Sequence, residues 1–288
     1  TTWPRSSDQP VNPDSEPCET RAPVRPIRTL AGYVGGKRAL AGTLCERIAA
    51  IPHTVYAEPF LGMGGVFFRR SSRPKVEAVN DISEDIVTLF RVLQRHHRAF
   101  MDMLKWQVAS RAEFERLCAV DPAALTDLES AARFLYLQRL AFGGKVTARS
   151  FGVAVEHPAR FDVGRLTPLL EAAHERLAGV YVERLPWRDF IARWDRPGTL
   201  FYCDPPYWGV ERYYGAGCFP REDFEALAQA LRGLKGRFVL TINDAPQARR
   251  LFAFARIEEA TLNYWVGGGE PKRARELIVT GGGDAAGA

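Results

Sequence analysis

The chain has 288 residues, 46% of them hydrophobic, and carries 39 lysines and arginines against 34 acids, a formal net charge of +5. That supplies enough apolar sequence for a sizeable core in one large domain or one and a half, and the positive balance favours a polyanionic partner. No segment is long and apolar enough to span a bilayer, and no apolar signal core stands at the N-terminus. Cys18, Cys45, Cys118, Cys203 and Cys218 show no paired metal spacing, which points to a reducing cytoplasm rather than a metal site or a disulfide scaffold.

Thr1 to about Arg28 is rich in proline and polar residues, without periodicity, and reads as a disordered tail. Tyr33-Val-Gly-Gly36-Lys37 then precedes a helix expected from about Ala39 to Ala50. Its spacing fails the triphosphate-loop pattern, with Arg38 where Ser or Thr would stand. Thr54 to Glu58 is a strand running into Pro59-Phe60-Leu61-Gly62-Met63-Gly64-Gly65, with a helix expected next. Phe67 stands in the place of the last glycine of a dinucleotide fingerprint, so no pyrophosphate site is indicated. The glycines still permit a ligand to approach the backbone closely. Val76 to Asn80 is a second strand, ending at Asp81 and Ile82. An acid about twenty residues after such a loop binds ribose hydroxyls in Rossmann-like folds, and a helix cap is the competing reading of Asp81.

From about Arg91 to Leu177 the pattern is mainly helical and charged, with an amphipathic helix over Asp127 to Leu140. Phe142 to Val155 alternates and is punctuated by glycine, like a β-hairpin. Val180 to Leu185 is a strand leading into Trp187-Arg188-Asp189-Phe190. Thr199 to Cys203 has the pattern of a buried strand, halted by Pro205 and Pro206. Asp204 is thereby left at the carboxyl end of a strand, on a rigid turn, with Tyr207 beside it. Beyond it lie a glycine-dotted loop, Arg212 to Gly217, and a helix from about Glu222 to Arg232. Strands follow at Phe238 to Ile242, about Ile257 to Trp265, and Glu276 to Thr280. The basic loop Gly267 to Arg275 is placed to touch phosphate, and 281–288 should fray.

An exocyclic amine on a base is a poor nucleophile, because its lone pair is delocalised into the ring. The Asp204 carboxylate and the Pro205 carbonyl can both accept its hydrogens and so aim the lone pair at an electrophile. Tyr207 can stack on the base, worth roughly 1–3 kcal/mol against the cost of flipping it out of a duplex. Asp204-Pro205-Pro206-Tyr207 resembles the catalytic motif of S-adenosylmethionine-dependent amino-methyltransferases. With the Tyr33–Lys37 stretch, the Glu58-Pro59-Phe60-x-Gly62-x-Gly64 loop and Asn80-Asp81-Ile82, the chain from about Thr29 to Thr280 is similar to the Dam-type DNA adenine-N6 methyltransferases.

That resemblance implies an α/β fold: a Rossmann-like seven-stranded methyltransferase sheet, with a mainly helical target-recognition insertion containing a β-hairpin. The catalytic domain would comprise 29–95 and 178–280, and the insertion 96–177. S-adenosylmethionine would be held by Tyr33, Lys37, Glu58, Pro59, Phe60, Gly62, Gly64, Asp81, Ile82 and Asp204, with Asp189 and Phe190 on its adenine and S-adenosylhomocysteine as product, without metal. Asp204, Pro205, Pro206 and Tyr207 would act on the base. Arg139, Lys145, Arg149 and Arg160 would bind double-stranded DNA, with a homodimer on a palindromic site left open. An aspartate at the head of the tetrapeptide favours adenine N6 over cytosine N4. An RNA or protein-glutamine substrate, or a non-catalytic DNA-binding module, are the other readings.

Overall fold

The computed structural model describes residues 21–33, 35–153, 158–209, 219–264 and 272–283. At its start β1 (Ala22–Pro23) pairs antiparallel with β3 (Ser72–Arg73). The other strands are β2 (Val55–Glu58), β4 (Val76–Asn80), β5 (Tyr181–Glu183), β6 (Thr199–Cys203), β7 (Arg237–Asn243), β8 (Arg256–Tyr264) and β9 (Lys272–Gly282). These form one mixed sheet in the order β5-β4-β2-β6-β7-β9-β8, antiparallel only where β9 meets β7 and β8. They are the seven strands expected from the sequence. β6 is buried at every residue because parallel neighbours flank it and helices cover both faces, which is why it reads as a continuous apolar run.

Two hydrophobic clusters sandwich the sheet. On one face lie α1 (Ala41–Ala50), α2 (Glu84–Arg95), α3 (His97–Leu104), α4 (Arg111–Ala119), α5 (Asp127–Leu140) and α6 (Val163–Leu177). The other face is covered by α7 (Trp187–Trp194), α8 (Arg221–Arg232) and α9 (Pro246–Leu251). None of the helices among the described residues is long and apolar enough to cross a membrane. α5 spans the residues expected of it and opens with a capping box between Thr126 and Glu129. It is not amphipathic, however. Ala131 to Gln138 are all buried, because α2, α3 and α4 surround it. Its polar residues survive there by spending their donors on main chain, as Arg133 Nε does on the Leu117 carbonyl at 2.8 Å.

Three expectations are corrected. Residues 21–28 are not tail: β1 pairs with β3, Arg21 donates to the carbonyls of Ala49 and Ile51 at 2.6 and 2.7 Å, and Ile27 N–H donates to Phe68 at 2.8 Å. Residues 1–20 lie outside the described part of the chain. The glycine loop is followed by a 3₁₀ turn (Phe67–Arg69) rather than a helix, since Arg70 goes extended so that Ser72 and Arg73 can pair with β1. Finally, the described residues of the expected hairpin form a clasped loop. Gly143 and Gly144 both take positive φ and turn the chain, and it closes through a single bridge, Ala141 to Phe151. Phe142 N–H donates to Ser150 and Gly152 N–H to Leu140, at 2.9 and 2.7 Å. The loop at 212–217 and most of that at 267–275 fall outside the described residues.

Candidate active site

From β2 the chain passes to β4 on one side and returns as β6 on the other, so the carboxyl ends of β2 and β6 border a topological switch point. Open α/β sheets bind ligands there. A cleft of about 680 Å³ opens at this edge, within the range of small-molecule sites. Tyr33, Lys37, Glu58, Pro59, Phe60, Gly62, Asp81, Ile82, Asp204 and Pro206 line it, so most of the expected cofactor residues converge. Gly64, Pro205, Tyr207, Asp189 and Phe190 do not line it.

The departures have local causes. Gly64 takes φ +67°, and a Cβ there would lie 2.6 Å from the Phe68 ring, so the glycine shapes the loop from behind. Asp189 points to solvent on the first turn of α7, while Phe190 is wholly buried under the sheet. The wall assigned to them is built instead from Leu185, Pro186, Trp187 and Arg188. Asp223 of α8 braces this wall, accepting from Trp187 Nε1 at 3.3 Å and from Arg188 Nη2 at 2.6 Å. Phe60 and Phe219 pack edge to face beside it, with ring centroids 5.7 Å apart.

Asn80, 1% exposed, ties three strand ends together. Its side-chain amide donates to Pro59 and Leu185 carbonyls at 3.1 and 3.0 Å, and its oxygen accepts from Leu185 N–H at 2.8 Å. The next residue, Asp81, accepts from Gly62 N–H at 2.8 Å and Ser83 N–H at 2.9 Å. It therefore pins the glycine loop and holds the turn that enters α2 at once. Burial pushes its carboxyl up to about 6, against the pull of these N–H donors. Glu58 at the end of β2 is 1% exposed and accepts from the Tyr56 hydroxyl at 2.6 Å. Burial pushes Glu58 up to about 8, opposed by the Tyr56 hydrogen bond and Arg70.

Asp204 stands at the end of β6. Its Oδ1 receives Lys37 Nζ at 2.7 Å and the Thr241 hydroxyl of β7 at 2.9 Å, and Thr241 lies 3.0 Å from the Tyr202 hydroxyl. Both of these contacts fall on Oδ1, and the side chain keeps 19% exposure at the cleft, so Oδ2 is the oxygen left for a ligand. Burial pushes Asp204 up to about 6, with Lys37 pulling the other way. Lys37 Nζ also donates to the Tyr207 hydroxyl at 2.5 Å, so the lysine expected near the cofactor is aimed at the Asp204–Tyr207 tetrapeptide. Asn243 fixes the far side of the turn, accepting from Trp208 N–H at 2.8 Å and donating to its carbonyl at 3.1 Å. Thr241 and Asn243 had no motif to announce them, though they sit at the end of an expected strand, and the Asn80-Asp81-Ile82 motif did not reveal the clamping role of Asn80.

The four basic residues divide. Arg139 donates to the Leu30 carbonyl at 2.9 Å and twice to the Arg160 carbonyl, so its guanidinium is committed to main chain. Arg149 is half-buried, 5.8 Å over the Phe134 ring and 3.5 Å from Gln138 Oε1. Lys145 and Arg160 are exposed.

Residues 33–264 match the family model described as D12 class N6 adenine-specific DNA methyltransferase. A type II methyltransferase of Lactococcus lactis subsp. cremoris, M1.LlaDCHI, is 24% identical over 88% of this chain and 95% of its own length. The retron Ec67 DNA adenine methylase of Escherichia coli is 26% identical over 89% of this chain and 92% of its own. Among solved structures, a ribosomal protein L11 methylase from Lactobacillus delbrueckii subsp. bulgaricus aligns with TM-score 0.35 at 13% identity, over 95% of this chain and 90% of that one.

Proposed function

The chain belongs to the D12 class of N6 adenine-specific DNA methyltransferases, which depend on S-adenosylmethionine, and we propose on that premise that Asp204 is its catalytic carboxylate. The observation that carries this is the one-sided pinning of Asp204. Lys37 and Thr241 hold Oδ1, and the other oxygen is left at the cleft to accept a hydrogen of the adenine amine. With the Pro205 carbonyl as second acceptor, that contact aims the amine's lone pair, which is catalysis by orientation. Tyr207, held by its hydroxyl on Lys37, offers its ring to the base. The substrate in this reading is duplex DNA with the target adenine turned out of the stack.

The cleft fits the cofactor chemically. S-adenosylmethionine supplies an electrophilic methyl on a sulfonium. Asp81 has lone pairs left for ribose hydroxyls after its two N–H donors, and Glu58 and Asp204 offer carboxyl groups toward the cationic part. Ile82, 48% exposed at the cleft, and Trp187 give apolar faces for the purine, in place of Asp189 and Phe190. The reading has no metal step, and S-adenosylhomocysteine is the product. Residues 96–177 serve as the recognition insertion, and the name of the type II relative supports a restriction-modification setting.

The test is Asp204→Ala, assayed by digesting DNA to nucleosides and measuring N6-methyladenine by mass spectrometry. Turnover should vanish while the circular dichroism of the folded protein persists. Near wild-type turnover would remove Asp204 from the mechanism.

A further inference from the structure

The described residues of 27–38 border the cleft as a strap between the two parts of the chain. At its start Ile27 N–H donates to the Phe68 carbonyl of the catalytic half at 2.8 Å. In its middle the Leu30 carbonyl accepts from Arg139 Nη1 at 2.9 Å and the Gly32 carbonyl from Gln138 Nε2 at 2.8 Å, both on α5. The same Gln138 nitrogen donates to the Gly144 carbonyl at 2.7 Å, so one buried side chain ties the strap to the clasped loop. A Cβ at Gly144 would lie 2.9 Å from the Gly32 carbonyl carbon, and glycine there lets the two backbones meet. At its end the Lys37 carbonyl accepts from Ala41 N–H at 2.8 Å, which leads into α1.

Arg28 and Arg38 stand at the two ends of this strap, exposed and lining the cleft. Half-buried Arg69 lines it too and gives one donor to the Gly65 carbonyl at 3.1 Å. Among the described residues no carboxylate makes an ion pair with any of the three. What they face is like charge. Burial and then Arg38 hold Arg69 below its ordinary value, and burial, then Arg28 and Arg160, do the same to Arg139. Cations gathered without an anion cost free energy in the free protein, and an anionic ligand relieves that cost. Lys37, between the two ends, is committed to Asp204 and Tyr207.

An adenine turned out of a duplex has to reach Asp204 while its phosphates stay at the mouth, because burying a phosphodiester anion is expensive. We propose that the strap is a backbone grip for the DNA strand at the flipped nucleotide, with Arg28 at one end and Arg38, beside Arg69, at the other taking the phosphates on its two sides. The proposal rests on Asp204 being the carboxylate that receives the amine. Its content is that part of the DNA interface lies on the catalytic half, outside the 96–177 insertion. Phosphate contacts set position and register without reading sequence. Gln138 ties the strap to the clasped loop, so the grip and that loop keep a fixed register on the strand.

The experiment measures kcat/KM for plasmid DNA from a methylation-deficient host across a series of salt concentrations, with N6-methyladenine counted after nucleoside digestion. Arg28→Gln and Arg38→Gln should each lower kcat/KM at low salt and reduce its log–log salt slope by about one, the double variant by about two. Lysine at either position should keep the wild-type slope, since the slope counts charges. Lys235→Gln serves as the control, because Lys235 is exposed before the amino end of β7, at the sheet edge away from the cleft, and should leave the slope unchanged. Calorimetric affinity for S-adenosylmethionine should stay as in wild type in all of them. A wild-type slope in either glutamine variant overturns the proposal, as does a kcat/KM lowered equally at every salt concentration, which a merely structural role would give. Weakened cofactor binding with an unchanged slope also overturns it and assigns these cations to the cofactor's carboxylate. Failure of the underlying reading looks different, because Asp204→Ala would then retain turnover whatever the slopes show.

Discussion

Replacing Asp81 with alanine separates the two roles the structure gives it. The carboxylate accepts from Gly62 and Ser83 N–H at 2.8 and 2.9 Å, and alanine leaves both donors without it. Each orphaned donor costs about 1–3 kcal/mol if water does not reach it. Against this stands the burial of the charge, which raises the carboxyl from 3.8 to about 6. Those roughly two pH units correspond to about 3 kcal/mol of unfavourable ionisation at neutral pH, relieved in the alanine variant. The terms nearly offset, so the stability of the cofactor-free protein should change by no more than about 3 kcal/mol. Cofactor affinity has no such compensation. Loss of a charged acceptor for the ribose hydroxyls should cost about 1.5–3 kcal/mol, one to two decades in Kd. Calorimetric titration with S-adenosylmethionine, beside thermal unfolding without it, reads both quantities. An unchanged Kd with a large loss of stability would reduce Asp81 to a helix and loop cap and refute the ribose assignment.

Other consequences are equally open to measurement. Neutralising exposed Lys145 or Arg160 should weaken DNA binding for all sequences and lower the salt slope by about one if each touches a phosphate. Arg139→Ala should instead cost stability and leave the slope unchanged, since its guanidinium is spent on the Leu30 and Arg160 carbonyls; fluorescence titration at several salt concentrations distinguishes them. Glu77→Gln would leave the buried Arg70 and Arg176 without their shared carboxylate, now 2.8 and 2.7 Å away, and denaturant unfolding should show a loss of about 3–5 kcal/mol. Glu58 titrates near 8 when folded, above its ordinary 4.5. The folded state therefore holds the proton more tightly, and the stability this gives is full at acid pH and lost as pH rises through 8. Glu58→Gln should flatten that decline in the cofactor-free protein, read as unfolding free energy between about pH 5 and 8, the interval between the ordinary and the folded value.

The sheet was legible because burial on both faces writes strands such as Thr199–Cys203 as uninterrupted apolar runs, with prolines and glycines marking where they stop. The cleft was legible for a related reason. Glu58 ends a strand, Asp81 and Asp204 each follow directly on one, and parallel strands deliver their carboxyl ends to one edge. The shift from Asp189 and Phe190 to Leu185–Arg188 shows the limit of this logic. The strand lies where it was expected, but helical phase decides which residues of α7 face the cleft. Phe190 packs into the core and Asp189 meets solvent.

Charge is the property least readable from a single chain, because its sign says nothing about what faces it. Arg139, at the end of α5, was expected on DNA, and its guanidinium staples the segment at Leu30 to that at Arg160. Glu276, in a strand that otherwise looks like plain core, stands 3.7 Å from the Lys37 ammonium that also meets Asp204. Both cases turn on partners more than twenty residues away, brought close by a sheet order and a helix packing that local pattern does not encode. In the proposed reading the motif itself supplies the acceptor for the amine. The groups that pull the Asp204 carboxyl down against the burial that raises it come from outside the motif, Lys37 by its charge and Thr241 by its hydroxyl.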